Sequence, residues 1–436
     1  MSELPRPAGY LASGWNAGIK DSSLDFGVIH SRVPAAAAAV FTRSHFPGHP
    51  VVVGREHVAD GSLQTIVINS KNANVANGSE GLDLARNMCR WTAASLGISE
   101  SLVLPSSTGV IGRLPPVDRI QAACQEASQR LVTADFETFN QAMMTTDAFA
   151  KRRGYTLSDG SVVLGLAKGA GMIEPNMATM LSYLVSDASM PASDLDRLLR
   201  FCVNRSFNRI SVDSDTSTSD TVVLMANGAA GAQPLEFSEA TAQLLSSQPL
   251  EVLLGDPLPL PGVEMDRLER SNPWPDHLNE ASLEFFRAVL RCCLFLSREI
   301  VRDGEGASRF FEVLVVGAAS ESMAYKVGRS VINSPLVKTA IHGADPNWGR
   351  LIMAIGKVFD EPIHPGQIKI YAGNQLLYAG RESGEEARPD LQSLQAHFRE
   401  AEIKIKIDLG IGLHFDRFWS SDLTADYVRL NADYTT

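Results

Sequence analysis

The stretch that decides the fold reads Lys168-Gly-Ala-Gly-Met-Ile-Glu-Pro-Asn-Met-Ala-Thr179-Met-Leu-Ser-Tyr-Leu-Val185. A loop interrupted by glycine and proline passes through the small dipeptide Ala178-Thr179 into an apolar run that predicts a core strand over 181–186. Two readings stay open for the stretch taken alone. In the first it is a glycine-rich turn before a buried strand. In the second the chain breaks before Thr179, which then carries a hydroxyl nucleophile and its own free α-amine, whose ordinary pKa of about 8 suits a general base near neutrality. A strand end is a rigid mount for such a nucleophile.

Upstream, Val162–Ala167 and Tyr155–Leu157 flank a Ser-Asp-Gly turn at 158–160 and predict a hairpin, with Lys151-Arg-Arg-Gly154 before it as a basic turn. Helical periodicity covers 116–133, 135–143 and 82–96, the last closed by Gly97 as a C-cap. Between them, Leu102-Val-Leu104 runs into Pro105-Ser-Ser-Thr-Gly-Val-Ile-Gly112. A strand that ends in such a turn can aim a backbone N–H and a hydroxyl at one point, as an oxyanion hole requires, although Ser/Thr/Gly turns also simply reverse chains. The Asn-rich loop 69–78 follows a strand at 64–68 and has two readings of its own: side-chain amides that bind a polar ligand, or a loop that simply turns the chain. Three further short runs, 27–30, 38–42 and 50–53, read as strands of a hairpin-rich sheet.

Downstream, 191–208 reads as a helix, 221–228 as a buried strand and 283–302 as an amphipathic helix closing on Asp303-Gly-Glu305-Gly-Ala307. The span 248–275 is rich in proline and predicts a surface insertion. A strand at 311–316, a helix at 322–331 and hairpin strands within 363–378 and 402–409 complete the pattern, while His342–Arg350 holds too many turn formers for regular structure. Paired strands mixed with long helices predict a layered α/β protein with largely antiparallel sheets.

The bulk properties narrow the function. The 436 residues are 44% hydrophobic and 20% charged, as expected of a globular chain of two or three domains or one large α/β unit. Thirty-nine basic against 50 acidic residues leave a net charge of −11, which gives no electrostatic footprint for nucleic acid or an anionic membrane. Cys89, Cys124, Cys202, Cys292 and Cys293 lack metal-ligand spacing and read as reduced residues of a cytoplasmic protein. No signal sequence or membrane span is expected. No metal is expected either: the histidines are scattered, and Asp213–Asp220 lacks the central Gly and terminal Glu of a calcium loop.

Several motifs in a fixed order support a resemblance. Ser107-Thr-Gly-Val-Ile-Gly112, Met144-Thr-Thr-Asp147, Lys168–Leu181, Asp215-Thr-Ser-Thr-Ser-Asp220, Asp303-Gly-Glu-Gly-Ala307, Ser334-Pro-Leu-Val-Lys-Thr-Ala340, Gly343–Arg350 and the terminal Asn431-Ala-Asp-Tyr-Thr-Thr436 span nearly the whole chain. Together they make it similar to the ornithine acetyltransferase, or bifunctional glutamate N-acetyltransferase, family of self-cleaving enzymes with an N-terminal-nucleophile (Ntn) hydrolase-like fold.

The resemblance implies cleavage between Ala178 and Thr179 into an α chain, 1–178, and a β chain, 179–436, which stay together as an α2β2 oligomer. It implies that Thr179 takes an acetyl group from N-acetylornithine and passes it to glutamate, with Thr108 and Gly109 as the oxyanion hole. Substrate contacts fall on Thr145, Lys168, Thr179, Glu305, Asn431 and Thr436. No cofactor is implied, and acetyl-CoA is open as a second acyl donor. Lys71, Val75, Ala76 and Asn77 depart from the family's usual loop, which leaves open a paralogue acting on another N-acyl amino acid, or an amidohydrolase or aminopeptidase using water.

Overall fold

The computed structural model describes residues 4–174, 180–255 and 279–433. Its strands are β1 (Tyr10–Trp15), β2 (Phe26–Phe41), β3 (Ser62–Asn69), β4 (Val103–Ser107), β5 (Lys151–Thr156), β6 (Val162–Lys168), β7 (Leu181–Ser186), β8 (Ile210–Ser211), β9 (Thr221–Ala226), β10 (Phe310–Ala318), β11 (Lys369–Ala372), β12 (Gln375–Ala379), β13 (Glu402–Asp408) and β14 (His414–Ser421). One sheet of eight strands has the order β4-β3-β2-β9-β7-β6-β5, with β1 paired to the first half of β2. A second, of six, has the order β12-β11-β13-β10-β14-β8. Eight of the strand pairings are antiparallel and four parallel, so the largely antiparallel, helix-flanked α/β architecture is what the chain adopts.

Alternation along the strands builds the layers, because successive side chains point to opposite faces. Ala38, Val40, Val222 and Leu224 face a core shared with the helices Ala192–Asn204 and Glu280–Arg302. Their neighbours Ala37, Ala39, Val223 and Met225 face the opposite core, which holds Phe136, Phe139 and Met143 of the helix Phe136–Met143. The second sheet has its own core with the helices Glu321–Ile332, Pro335–His342 and Trp348–Gly356. Small residues allow close approach: a Cβ at Gly165 of β6 would stand 2.9 Å from Leu296 of the long helix.

The helix at 82–96 forms as Gly78–Leu96 and ends on Gly97 in the left-handed region at φ 69°. The hairpin β5–β6 also forms. Four segments differ from expectation. The runs 27–30 and 38–42 are parts of one long strand, β2, whose pairing with β3 shifts register between His30 and Ala35. Pro50-Val51-Val52-Val53 lies in the helix His49–His57, where Pro50 occupies the first turn and Val51 and Val53 are buried, so tertiary packing overrides the β-branched preference. Lys151-Arg-Arg-Gly154 is strand, not turn. In 342–350 the irregular part is confined to Gly343–Asn347, and Trp348 opens a helix capped by the Asn347 side chain.

All five cysteines are free and buried. Of the proline-rich span, 250–254 is a short helix and 256–275 lies outside the described residues. Among the described residues no helix is long and apolar enough to cross a membrane.

Candidate active site

The register places the decisive stretch. Lys168 at the end of β6 pairs with Leu181 at the start of β7, and Leu181 pairs with Thr221 at the start of β9. Lys168, Leu181 and Thr221 therefore form one transverse row of the large sheet. Ala178 and Thr179 lie outside the described residues, as does Thr436. Of the described residues on either side of 175–179, Glu174 donates its N–H to the Asp215 carbonyl at 3.0 Å and Met180 donates its N–H to the Asp220 carboxylate.

Around that row the described candidates converge. Lys168 is 6% exposed, and its ammonium donates to the Thr145 hydroxyl at 3.1 Å. Burial lowers its pKa, opposed by Asp147, Asp220 and Glu305 and reinforced by Lys151. The Thr145 N–H donates to Asp147 at 3.0 Å, and the other oxygen of Asp147 accepts the Gly169 N–H at 2.6 Å. Burial pushes the Asp147 carboxyl up, but Lys151, Lys168 and the Gly169 N–H outweigh it and the net shift is downward. Lys151 lies 2.7 Å from Asp147 and 2.5 Å from Asp303, its side chain fully buried.

Asp303 leads to Glu305, whose N–H donates to the Ala170 carbonyl at 2.8 Å. Gly171 is a close-approach position, since a Cβ there would stand 2.4 Å from the Glu305 carboxylate. Asn431, on the helix Ala425–Asp433, donates to Glu305 at 2.9 Å. Thr145, Lys168, Glu305 and Asn431, spread over almost 290 positions of sequence, thus share one network along the Gly169–Gly171 segment.

Thr108 and Gly109 follow β4. The Thr108 N–H donates to the Asn69 carbonyl at 3.1 Å, and Ser107 holds the Asn69 side chain at 2.6 Å. Gly109 has a φ of 124° and packs against the backbone of Lys71, whose carbonyl accepts the Val110 N–H at 2.8 Å. Among the described residues neither the Thr108 hydroxyl nor the Gly109 N–H has a hydrogen-bond partner. This turn joins the Lys168 network: Lys71 donates to the Ile19 carbonyl, and the next residue, Lys20, donates to the Met144 carbonyl beside Thr145. Lys71, Asp147 and Lys168 all act on the charge of Lys20, whose pKa burial lowers. The Tyr183 hydroxyl of β7 faces Ser106 of β4 without closing a hydrogen bond of normal geometry.

Asp147, Lys151, Asp220 and Asp303 belong to the site although no role attaches to them in the sequence. Asp147, Asp220 and Asp303 stand in the motifs quoted above, and the i,i+4 spacing of Asp147 and Lys151 was the available signal. Burial of the pair has no counterpart in the spacing, because Asp303, far along the chain, completes it. Among the described residues no cluster of His, Cys, Asp and Glu is arranged to hold a metal ion.

A buried cation, an anion with an amide donor, and a hydroxyl beside an N–H without partners make a site suited to acyl transfer among zwitterionic ligands. The ArgJ family profile matches residues 11–436, and the chain belongs to the ArgJ family. It is 39% identical to arginine biosynthesis bifunctional protein ArgJ 2 of Clostridium acetobutylicum over 430 residues, covering 98% of each chain. It is also 39% identical to glutamate N-acetyltransferase Oat2 of Streptomyces clavuligerus over 433 residues, covering 99% of this chain and 98% of that one. A crystal structure of the bifunctional argJ protein of Bacillus halodurans is 34% identical, with a TM-score of 0.47, and covers 59% of this chain and 100% of that one.

Proposed function

We propose that this chain is a self-processing acyltransferase that moves an acetyl group from N-acetylornithine to glutamate. The observation that carries the reading is the convergence of Lys168–Thr145 with Glu305–Asn431 along Gly169–Gly171, the segment that leads to Thr179. Membership of the ArgJ family and the names of its relatives support the same chemistry.

After cleavage between Ala178 and Thr179, the Thr179 hydroxyl attacks the acetyl carbonyl and its α-amine takes the proton. The Thr108 hydroxyl and the Gly109 N–H stabilise the oxyanion, a contribution of about 3 to 4 kcal/mol for each donor. Ornithine leaves with the proton, glutamate attacks the acyl-enzyme, and the cycle closes as ping-pong transfer. Lys168 binds the substrate carboxylate, with Thr145 fixing its ammonium. Glu305 receives the cationic amino group, held by Asn431, and Thr436 adds a further polar contact. The reading extends to a cytoplasmic α2β2 enzyme that needs no bound cofactor, with acetyl-CoA as a second acyl donor to be assayed.

The test is a donor and acceptor screen by mass spectrometry. Glutamate should accelerate ornithine release from N-acetylornithine and become acetylated itself, and Thr179→Ala should abolish both activity and cleavage. Ornithine release that ignores glutamate would sink the transferase reading in favour of a hydrolase, and processed, active Thr179→Ala would sink the nucleophile.

A further inference from the structure

Self-cleavage carries a chemical requirement of its own. In the uncut chain the nitrogen of residue 179 is a peptide nitrogen, so the amine that serves the mature enzyme as a base does not yet exist. A second base is needed for the first cut, and it must lie beside the 178–180 segment.

Asp220 meets the geometric condition. It is 2% exposed and precedes Thr221, the residue that pairs with Leu181. One carboxylate oxygen, Oδ1, accepts the Met180 N–H at 2.5 Å, the N–H of the peptide bond joining residue 179 to residue 180. The Thr221 N–H returns a bond to the Met180 carbonyl at 3.1 Å, so the two segments are clamped together. The other oxygen, Oδ2, is buried and has no hydrogen-bond partner among the described residues. A buried carboxylate oxygen without a donor costs free energy and is left open to accept a proton. Lys168 is the charged group that faces it. Burial raises the Asp220 carboxyl well above the ordinary range, against the pull of the Met180 N–H and Lys168.

We infer that Asp220 is the proton acceptor of self-cleavage, taking the Thr179 hydroxyl proton on Oδ2 while Oδ1 holds the 179–180 peptide. The inference rests on the reading that the chain cuts itself before Thr179. As the Thr179 oxygen bonds to the Ala178 carbonyl carbon, the Ala178–Thr179 C–N bond breaks, and the proton passes from Asp220 to the departing nitrogen, which becomes the free amine. Water then hydrolyses the ester, leaving the Ala178 carboxylate and restoring the Thr179 hydroxyl. Water is the sole reagent consumed.

The experiment follows cutting of the full chain, made by cell-free translation, on denaturing gels over a pH series that runs upward from the ordinary carboxylate range, the direction in which burial moves Asp220. Wild-type cutting should quicken as pH rises through the raised pKa, because the ionised carboxylate is the form that accepts a proton. Asp220→Asn keeps an acceptor for the Met180 N–H but loses the basic oxygen, so cutting should slow by about 10²- to 10⁴-fold and lose that rise. An Asn variant that melts like wild type and is cut at the wild-type rate, with the wild-type pH dependence, overturns the assignment. Where the Asn variant does not fold, Asp220→Glu decides: cutting should persist with its pH limb displaced, and an unmoved limb overturns the assignment. A wild-type chain that never cuts overturns the underlying reading as well, whereas fast cutting of both wild type and the Asn variant overturns the role of Asp220 alone.

Discussion

Gly109 shows how a single backbone position carries the proposed oxyanion hole. Its φ of 124° lies where residues with a side chain are rarely found, and a Cβ would stand 2.3 Å from the carbonyl carbon and oxygen of Lys71. Substitution cannot be absorbed by a flexible side chain, because the obstructing atoms are backbone. Gly109→Ala should therefore cost about 2 to 6 kcal/mol of stability, as overpacking and backbone strain add. It should also reduce kcat by about 10²- to 10³-fold, the usual effect of displacing one oxyanion donor. Thermal melting together with the acetyl-transfer assay checks both, and a variant of wild-type activity would show that this N–H does not serve the reaction. The neighbouring Gly112, at φ 75° but with open space around its Cβ position, is the natural control for strain without collision.

At the scale of elements, β5 and the turn after the long helix are tied together by one buried cation. Lys151 serves Asp147, which holds the Gly169 N–H, and Asp303, which accepts the Ala148 N–H and leads to Glu305. Lys151→Met leaves Asp303 without its ion-pair partner and Asp147 with Lys168 as its remaining cationic neighbour, and breaking a buried pair in this way typically costs about 3 to 5 kcal/mol. Burial raises the Asp303 carboxyl while Asp147 is held below its ordinary range, so the loss of stability in acid belongs to Asp147. Its folded pKa is depressed, so in the wild type its stabilisation is present above the unfolded carboxylate pKa and is lost as pH falls through the folded value. In the variant the carboxylates that have lost Lys151 are relieved by protonation, so the difference between the two proteins should narrow as pH falls. Urea unfolding at a series of pH values measures this, and a deficit independent of pH would place the effect in packing rather than charge.

The same element shows where sequence reading stops. Lys151-Arg-Arg-Gly154 reads as a turn because local charge is its only visible property, and the partner that makes Lys151 a buried strand residue is 152 positions away. Pro50–Val53 fails for a related reason, since burial of Val51 and Val53 outweighs a weak preference for strand. By contrast, the Gly97 cap, the 158–160 hairpin turn and β7 follow from local chemistry and are legible. At the candidate site, motifs bring Thr145, Lys168, Glu305 and Asn431 forward, and the structure joins the four in one network. Burial, which separates Lys168 from a solvated loop lysine, is set by the sheet and the elements packed around it.

At the scale of the molecule, the proposed cut falls at a place where the two halves cannot part. In the large sheet β7 and β9, both after residue 179, lie between β2 and β6, both before it. Parting the halves would break the β2–β9 ladder over Ala36–Phe41 and the β6–β7 ladder over Val163–Lys168, each six residue pairs long. It would also open two hydrophobic cores, since Ala38 and Val163 share one with Leu184 and Val222, and Ala37 and Leu166 share the other with Tyr183 and Val223. Burial at roughly 25 cal/mol per Å² makes that exposure far more costly than the loss of one peptide bond's connectivity. The processed protein should therefore show two bands on a denaturing gel, their masses summing to the 47.1 kDa of the chain, yet elute as one species from a native sizing column. Neither half expressed alone should give a cooperative melt, because each would present strands without their neighbours. Elution of the halves as separate folded species would contradict this arrangement. Co-elution with a single melt near that of the uncut Thr179→Ala chain would mean that the sheet, rather than the scissile peptide, holds the nucleophile's strand in register.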